Sequence, residues 1–268
     1  MEKLSNMNPV LLALFAGLFT WGMTAMGAGL VIFFKNLSTK VTNIMLGFAA
    51  GVMLAASFWS LLDPAIEGAA YMGQFSFVPA LVGFLLGGLF LLFIDRMIPH
   101  IHPSFSGMHE DGPPSELKKT TLLVLAITIH NIPEGLAVGV AFGAIQAGNT
   151  TALVSAMVLA LGIGIQNFPE GAAVSIPLRT DGMSRGKSFF YGQASAIVEP
   201  IFAMIGAALV NSMTSILPYA LAFAAGAMVY VVSEELIPSA QQGDGADLAT
   251  MALMVGFAVM MVLDVALG

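Results

Sequence analysis

An all-α integral membrane fold with eight transmembrane helices is what this sequence predicts, on three observations. Of its 268 residues 57% are hydrophobic, only 9% are charged, and the apolar residues gather into eight runs separated by polar or Gly/Pro punctuation. An average soluble domain has roughly a quarter of its residues charged, so water is not the main solvent of this surface. Runs near or above the roughly 20 residues that cross a bilayer point to one helical bundle, a single transmembrane domain over 1–268.

The runs extend over approximately 9–34, 41–62, 78–98, 120–145, 151–178, 188–211, 216–238 and 247–267. Before the first, residues 1–8 carry only Glu2 and Lys3. The run itself is too long for a signal peptide and lacks a small-residue cleavage pattern, so it is expected to be retained. Orientation follows from the bases. Lys35 and Lys40 lie between spans 1 and 2, Arg96, Lys118 and Lys119 between spans 3 and 4, and Arg179, Arg185 and Lys187 between spans 5 and 6. Eight of the nine bases thus share one side, which the positive-inside rule makes cytoplasmic, and an even span count puts both termini outside. The loop between spans 7 and 8 is also inside yet has no base, a mild exception.

The formal charge of −7 arises from 16 acids against 9 bases. Several acids lie within apolar runs, so the charge does not describe a solvent-facing surface, and a nucleic-acid partner is not expected. With no cysteine, disulfides, thiolate metal sites and cysteine nucleophiles are excluded together. The one long connection, 99–119, is rich in Pro and Gly, which argues against helix, and holds His100, His102 and His109. It reads either as a solvated cytoplasmic linker or as a low-affinity landing site for metal.

Two copies of one pattern stand 36 residues apart: His130-Asn131-Ile132-Pro133-Glu134-Gly135 in span 4 and Gln166-Asn167-Phe168-Pro169-Glu170-Gly171 in span 5. A short loop joins these spans, so they pack antiparallel with the motifs at similar depth. In each copy the first residue and the Glu are i and i+4, and the Asn and Glu are i and i+3, so all three share one face. Each proline frees an i−4 carbonyl, of Ile129 or Ile165, and is expected to kink its helix; such backbone is tolerated at membrane depth where it lines a cavity. The glycine after each Glu permits close approach. A pair of packing kinks is the plain alternative. Against it, a buried acid at a span's centre costs about 2.5–3.5 kcal/mol on insertion scales, and two facing each other repel. A cation between Glu134 and Glu170 resolves both problems.

Span 6 adds Glu199, directly before Pro200; it reads as a further ligand of a two-ion site or as a protonated structural glutamate. Met53 in span 2 reads as an interface filler, one of 18 methionines, or as a soft ligand. Imidazole, carboxylate, amide oxygen and thioether suit borderline ions such as zinc better than magnesium or calcium; cadmium, iron, manganese, cobalt and nickel stay open.

These paired motifs, with Glu199-Pro200 in the next span, resemble the ZIP (Zrt-like, Irt-like) family of divalent metal transporters, bacterial type. The likeness covers essentially the whole chain, including span count, cytoplasmic His-bearing loop and outside termini. It implies an inverted repeat of spans 1–3 and 6–8 around spans 4–5, a place in the cell's inner (plasma) membrane, and uptake toward the cytoplasm by an elevator-like alternating access. It also implies a binuclear centre. Position by position, Met53, His130, Glu134, Gln166 and Glu170 form the transport site; Asn131, Asn167 and Glu199 form the second, with the same two glutamates bridging. Gln166 stands where many relatives have His or Glu, and Asn167 where some have Asp, which lowers the negative charge of the centre.

Asp63 and Glu67 follow span 2 outside, Asp95, Glu234 and Glu235 flank the inner ends of spans 3 and 7, and Asp264 lies toward the outer end of span 8. Each fits a metal route or a solvated helix-end charge. The expected partners are divalent metal ions, as substrate, and membrane lipid, with a homodimer left open; no catalytic residue or cofactor is expected. Two other classes compete. A membrane-embedded di-metal enzyme would need an open coordination position, and the H-E-x-x-H zinc-protease signature is absent. A proton-coupled carrier of an organic solute would titrate the same carboxylates without metal.

Overall fold

The computed structural model describes residues 2–98, 100–104, 107–111, 119–146, 148–243 and 245–267. Its eight helices long and apolar enough to cross a membrane are α1 (Pro9–Ile32), α2 (Thr39–Gly68), α3 (Phe77–Met97), α4 (Lys119–Gly143), α5 (Thr150–Thr180), α6 (Arg185–Asn211), α7 (Leu217–Ala240) and α8 (Ala246–Leu267). They match the eight apolar runs. Polar caps start several of them: the Asn8 side-chain Oδ1 accepts from Val10 N at 2.8 Å ahead of Pro9, the Asn149 side chain accepts from Ala152 N at 3.0 Å, and that of Ser184 from Lys187 N at 3.4 Å.

The connection after α3 contains a two-stranded antiparallel hairpin, β1 (His100–Ser104) and β2 (Gly107–Asp111), in which His102 is registered opposite His109. The Pro and Gly content that disfavours helix there is thus satisfied by extended chain. The side chains of β1 and β2, and residues 112–118 with Lys118, lie outside the described residues.

The helices pair as α2 with α8, α3 with α7, α4 with α6, and α1 with both α5 and α6. Two four-helix groups result: α1, α4, α5 and α6 in one, α2, α3, α7 and α8 in the other. Within each pair a glycine lets backbone meet backbone. A Cβ built on Gly51 would overlap the Leu253 carbonyl oxygen, on Gly87 that of Phe223, on Gly139 that of Ala203, and on Gly171 that of Thr24. Where α5 meets α8, the neighbour of Gly162 is instead the flexible end of the Met260 side chain.

Four spans depart from regular α-helix, and α1 does so only at its end, in a 3-10 turn at Gly29–Ile32. α2 holds a π-helical turn at Ser57–Leu62, just before Pro64, and α7 one at Val232–Leu236, just before Pro238. α6 is interrupted between Ala194 and Val198, so Glu199 sits in the first turn of a new helical segment. Pro133 and Pro169, by contrast, lie inside helices that run on without a break.

Hydrogen bonds between loops agree with the parity of the spans. Thr180 at the end of α5 donates to the Lys35 carbonyl at 3.3 Å, and Asn43 Nδ2 near the start of α2 to the Gln242 carbonyl at 2.6 Å, which ties together the 1–2, 5–6 and 7–8 ends on the base-rich side. On the other side Gly148 N reaches the Ser5 carbonyl at 3.4 Å.

Candidate metal centre

The two motifs meet as their spacing requires. Glu134, Gln166, Asn167 and Glu170 are all buried, as are His130 and Asn131, although each is polar. The short loop between α4 and α5 makes the helices antiparallel neighbours, and i, i+3, i+4 spacing turns each set of three toward the other. Gln166 Nε2 donates to Glu134 Oε1 at 2.7 Å and also to Asn167 Oδ1. Asn131 Nδ2 donates to the Ser195 carbonyl at 3.2 Å, an acceptor made accessible by the interruption of α6. That interruption also brings Glu199, 0% exposed, into the cluster: Asn167 Nδ2 lies 2.9 Å from each of its oxygens.

Donors run out before acceptors do. Asn131 Oδ1, Glu134 Oε2, Gln166 Oε1 and Glu170 Oε1 are buried and make no hydrogen bond. Leaving such groups unpaired in a dry interior costs about 1–3 kcal/mol each, and more for charged ones. Four such oxygens in one cluster could hold a cation or its hydration water. Among the described residues no three of His, Asp and Glu lie together so as to hold a metal ion; in this cluster the side-chain amides of Asn131, Asn167 and Gln166 stand among the carboxylates.

A cavity of about 290 Å³ runs from His130, Glu134 and Glu170 past Asn43, Glu235 and Ser239 to Leu37, Thr39 and Gln242, on the base-rich side. At its inner wall His130 Nε2 lies 2.7 Å from Glu235 Oε1, which the π-helical turn of α7 holds inward. Glu235 is therefore part of the centre's surroundings and not a solvated helix-end charge. Glu234 beside it is exposed.

The remaining candidates separate. Met53 is buried on α2 but does not line this cavity. Asp63 and Glu67 are exposed beyond the π-helical turn of α2, whereas Asp264 on α8 accepts from Ser60 of that turn at 2.6 Å. Asp95 is buried near Tyr230, whose hydroxyl bonds to it. For His100 and His102 only the strand positions are described. Sequence reasoning passed over Ser60, Thr20 and Thr24. A polar residue ahead of an in-span proline was a signal for Ser60; the threonines gave none, because hydroxyls in helices commonly bond their own backbone.

A family model described as ZIP Zinc transporter matches residues 8–121 and 119–264. Zinc transporter ZIP11 of Homo sapiens is 42% identical over 99% of this chain and 100% of its own length. Zinc transporter GufA of Myxococcus xanthus is 38% identical over 95% of this chain and 98% of its own. Zinc transporter ZIPB of Bordetella bronchiseptica is 36% identical over 96% of this chain and 81% of its own.

Proposed function

The chain belongs to the ZIP zinc transporter family, and from that premise we propose that it carries divalent metal ions, zinc first, through the centre between α4 and α5 toward the cytoplasm. The observation that carries this reading is the set of four donorless buried oxygens on Asn131, Glu134, Gln166 and Glu170. A cation there would satisfy all four at once and neutralise the two carboxylates.

In this reading Met53, His130, Glu134, Gln166 and Glu170 bind the transported ion. Asn131, Asn167 and Glu199 bind a second, with Glu134 and Glu170 bridging. An arriving ion replaces hydrogen bonds with coordination: the Gln166 amide turns its oxygen inward, Asn167 releases Glu199, and His130 offers the nitrogen that Glu235 holds. Because coordination replaces bonds of about 0.5–3 kcal/mol each, ions are held without being trapped. The route inward is supported by the cavity that ends at Leu37, Thr39 and Gln242, with Glu235 as the next carboxylate on leaving His130. The Ser60–Asp264 bond lies toward the opposite side, where Asp63 and Glu67 would attract cations.

Alternating access draws support from where the glycines fall. Backbone-to-backbone contacts lock helices inside each four-helix group, while the α5–α8 seam at Gly162 meets a side chain that can rotate away. The pairings α2–α8 and α7–α3, and α4–α6 and α5–α1, exchange under an inverted repeat of spans 1–3 and 6–8, as do the two π-helical turns. The relatives are named as transporters, which agrees with a carrier and not an enzyme.

Radioactive zinc flux into proteoliposomes tests the reading. Wild type should accumulate zinc, and Glu134→Ala and Glu170→Ala should neither accumulate it nor bind it with high affinity. Wild-type binding in both variants would end the proposal.

A further inference from the structure

The first span holds no ionisable residue between Pro9 and Ile32, and its only hydroxyls are Thr20 and Thr24. They stand i and i+4 on one face of α1, both 0% exposed. Each has a bond within its own helix: Thr20 Oγ1 to the Gly17 carbonyl at 3.1 Å and Thr24 Oγ1 to the Thr20 carbonyl at 3.4 Å. Had these been their only contacts, they would be ordinary buried helix hydroxyls.

They also face the second ion position. Thr24 Oγ1 lies 3.4 Å from Glu199 Oε1, and the Thr20 hydroxyl interacts with the same carboxylate. The Thr20 carbonyl accepts from Asn167 Nδ2 at 3.4 Å, the amide that also holds both oxygens of Glu199. The close approach that permits this is built in, since a Cβ on Gly171 would overlap the Thr24 carbonyl and one on Gly17 would press on Pro200. Thus α1 wedges between the Asn167 and Glu199 helices with its two hydroxyls at their junction.

We propose that Thr20 and Thr24 are positioning and specificity-determining residues of the second ion position. They orient Glu199 by donation, and their oxygens finish a shell made otherwise of amide and carboxylate oxygens. A hydroxyl has one proton and two lone pairs, so it can donate to Glu199 or, with its proton turned to the helix carbonyl, present a lone pair to a cation. The shell at Asn131, Asn167, Glu199 and the threonines then contains only oxygen, and favours harder ions such as manganese relative to the position that has the His130 nitrogen. This inference rests on the proposed ion-carrying role of the centre.

The test is equilibrium binding of manganese and of zinc to the purified full chain, with metal content measured directly. Wild type should bind two ions. Thr24→Val and Thr20→Val, which keep shape and remove the hydroxyl, should weaken the second ion by at least about ten-fold, the loss expected for one hydrogen bond to a charged group. Thr24→Ser and Thr20→Ser should restore it. Unchanged binding of the second ion in both valine variants, or no recovery with serine, overturns the proposal while leaving the transport reading intact. No metal bound by wild type overturns the transport reading instead. Thr24→Cys gives an independent check free of background, because the chain has no other cysteine. A thiolate at this position should give an ultraviolet thiolate-to-cadmium charge-transfer band that wild type, with only thioether sulfur, lacks. A folded Thr24→Cys protein without that band on cadmium addition also overturns the proposal.

Discussion

Replacing single glycines by alanine should separate the contacts that hold each helix group rigid from the seam between the groups. At Gly22 nothing lies within 4 Å of an added Cβ. Alanine there only lowers the entropy of the unfolded chain and favours helix, a gain of about 0.5–1 kcal/mol. At Gly139 the same methyl overlaps the Ala203 carbonyl oxygen, a backbone atom that cannot rotate aside, so α4 and α6 must separate. Overpacking costs about 1–3 kcal/mol. The fixed neighbour places Gly139 toward the upper end of that range, so subtracting the helix gain leaves about 1–2 kcal/mol of net loss. At Gly162 the methyl meets Met260 Sδ and Cε, the end of a three-torsion side chain, and the two effects nearly cancel. With roughly 2–4 °C per kcal/mol for a chain near this size, Gly139→Ala should melt roughly 2–8 °C below wild type, Gly22→Ala slightly above it, and Gly162→Ala within about 2 °C. If the two groups slide as proposed, zinc flux should then be slowed in Gly162→Ala despite its near-normal stability, because the extra methyl lies in the α5–α8 seam. Melting curves in detergent and flux in proteoliposomes measure the two. A Gly139→Ala protein as stable as Gly22→Ala would refute the packing argument, and undiminished flux in Gly162→Ala would refute the seam.

Other expectations follow from the same geometry. Glu199→Gln should retain one bound ion and measurable transport, since Glu199 reaches the motifs through Asn167; complete loss of metal from the centre would make it essential to both positions. Removing the imidazoles of His100 and His102 should slow release or alter regulation without changing binding at the centre, and unchanged flux across a range of zinc concentrations would favour a plain linker. Binding should weaken as pH falls, because carboxylates and imidazole coordinate metal only when deprotonated: the favourable contribution is present above their pKa values and is lost below them. Gln166→His, at a position whose amide now lies 2.7 Å from Glu134, should strengthen zinc binding above about pH 6.5 and steepen its pH dependence. Zinc titrations at several pH values on both proteins check these outcomes, and affinity that does not fall on acidification would contradict the ligand set.

Much of this molecule was readable before any coordinates. Insertion in a membrane is a sum over local residues, so eight apolar runs became eight helices with ends shifted by only a few residues, and caps such as Asn8 and Asn149 act within one turn. The motifs were legible for the same reason: i, i+3 and i+4 spacing is a property of one helix, and a short loop sets two helices antiparallel. Sequence also dictated that Glu134 and Glu170 needed neutralising, because an acid's desolvation depends on depth more than on neighbours.

Tertiary structure alone decided which helices touch and which hydrogen bonds are made across them. Glu235 meets His130 from more than a hundred positions away, and Thr24 meets Glu199 at a separation of 175 residues. No local pattern encodes these distances, since each depends on how glycines such as Gly139 and Gly171 let backbones close on one another. The extra residue of each π-helical turn and the interruption at Ser195 depend likewise on neighbours able to satisfy the freed backbone groups, as Asn131 does for the Ser195 carbonyl. The residues of the proposed ion site stand out in the sequence because their chemistry is local; their arrangement does not, because it is set by packing between spans.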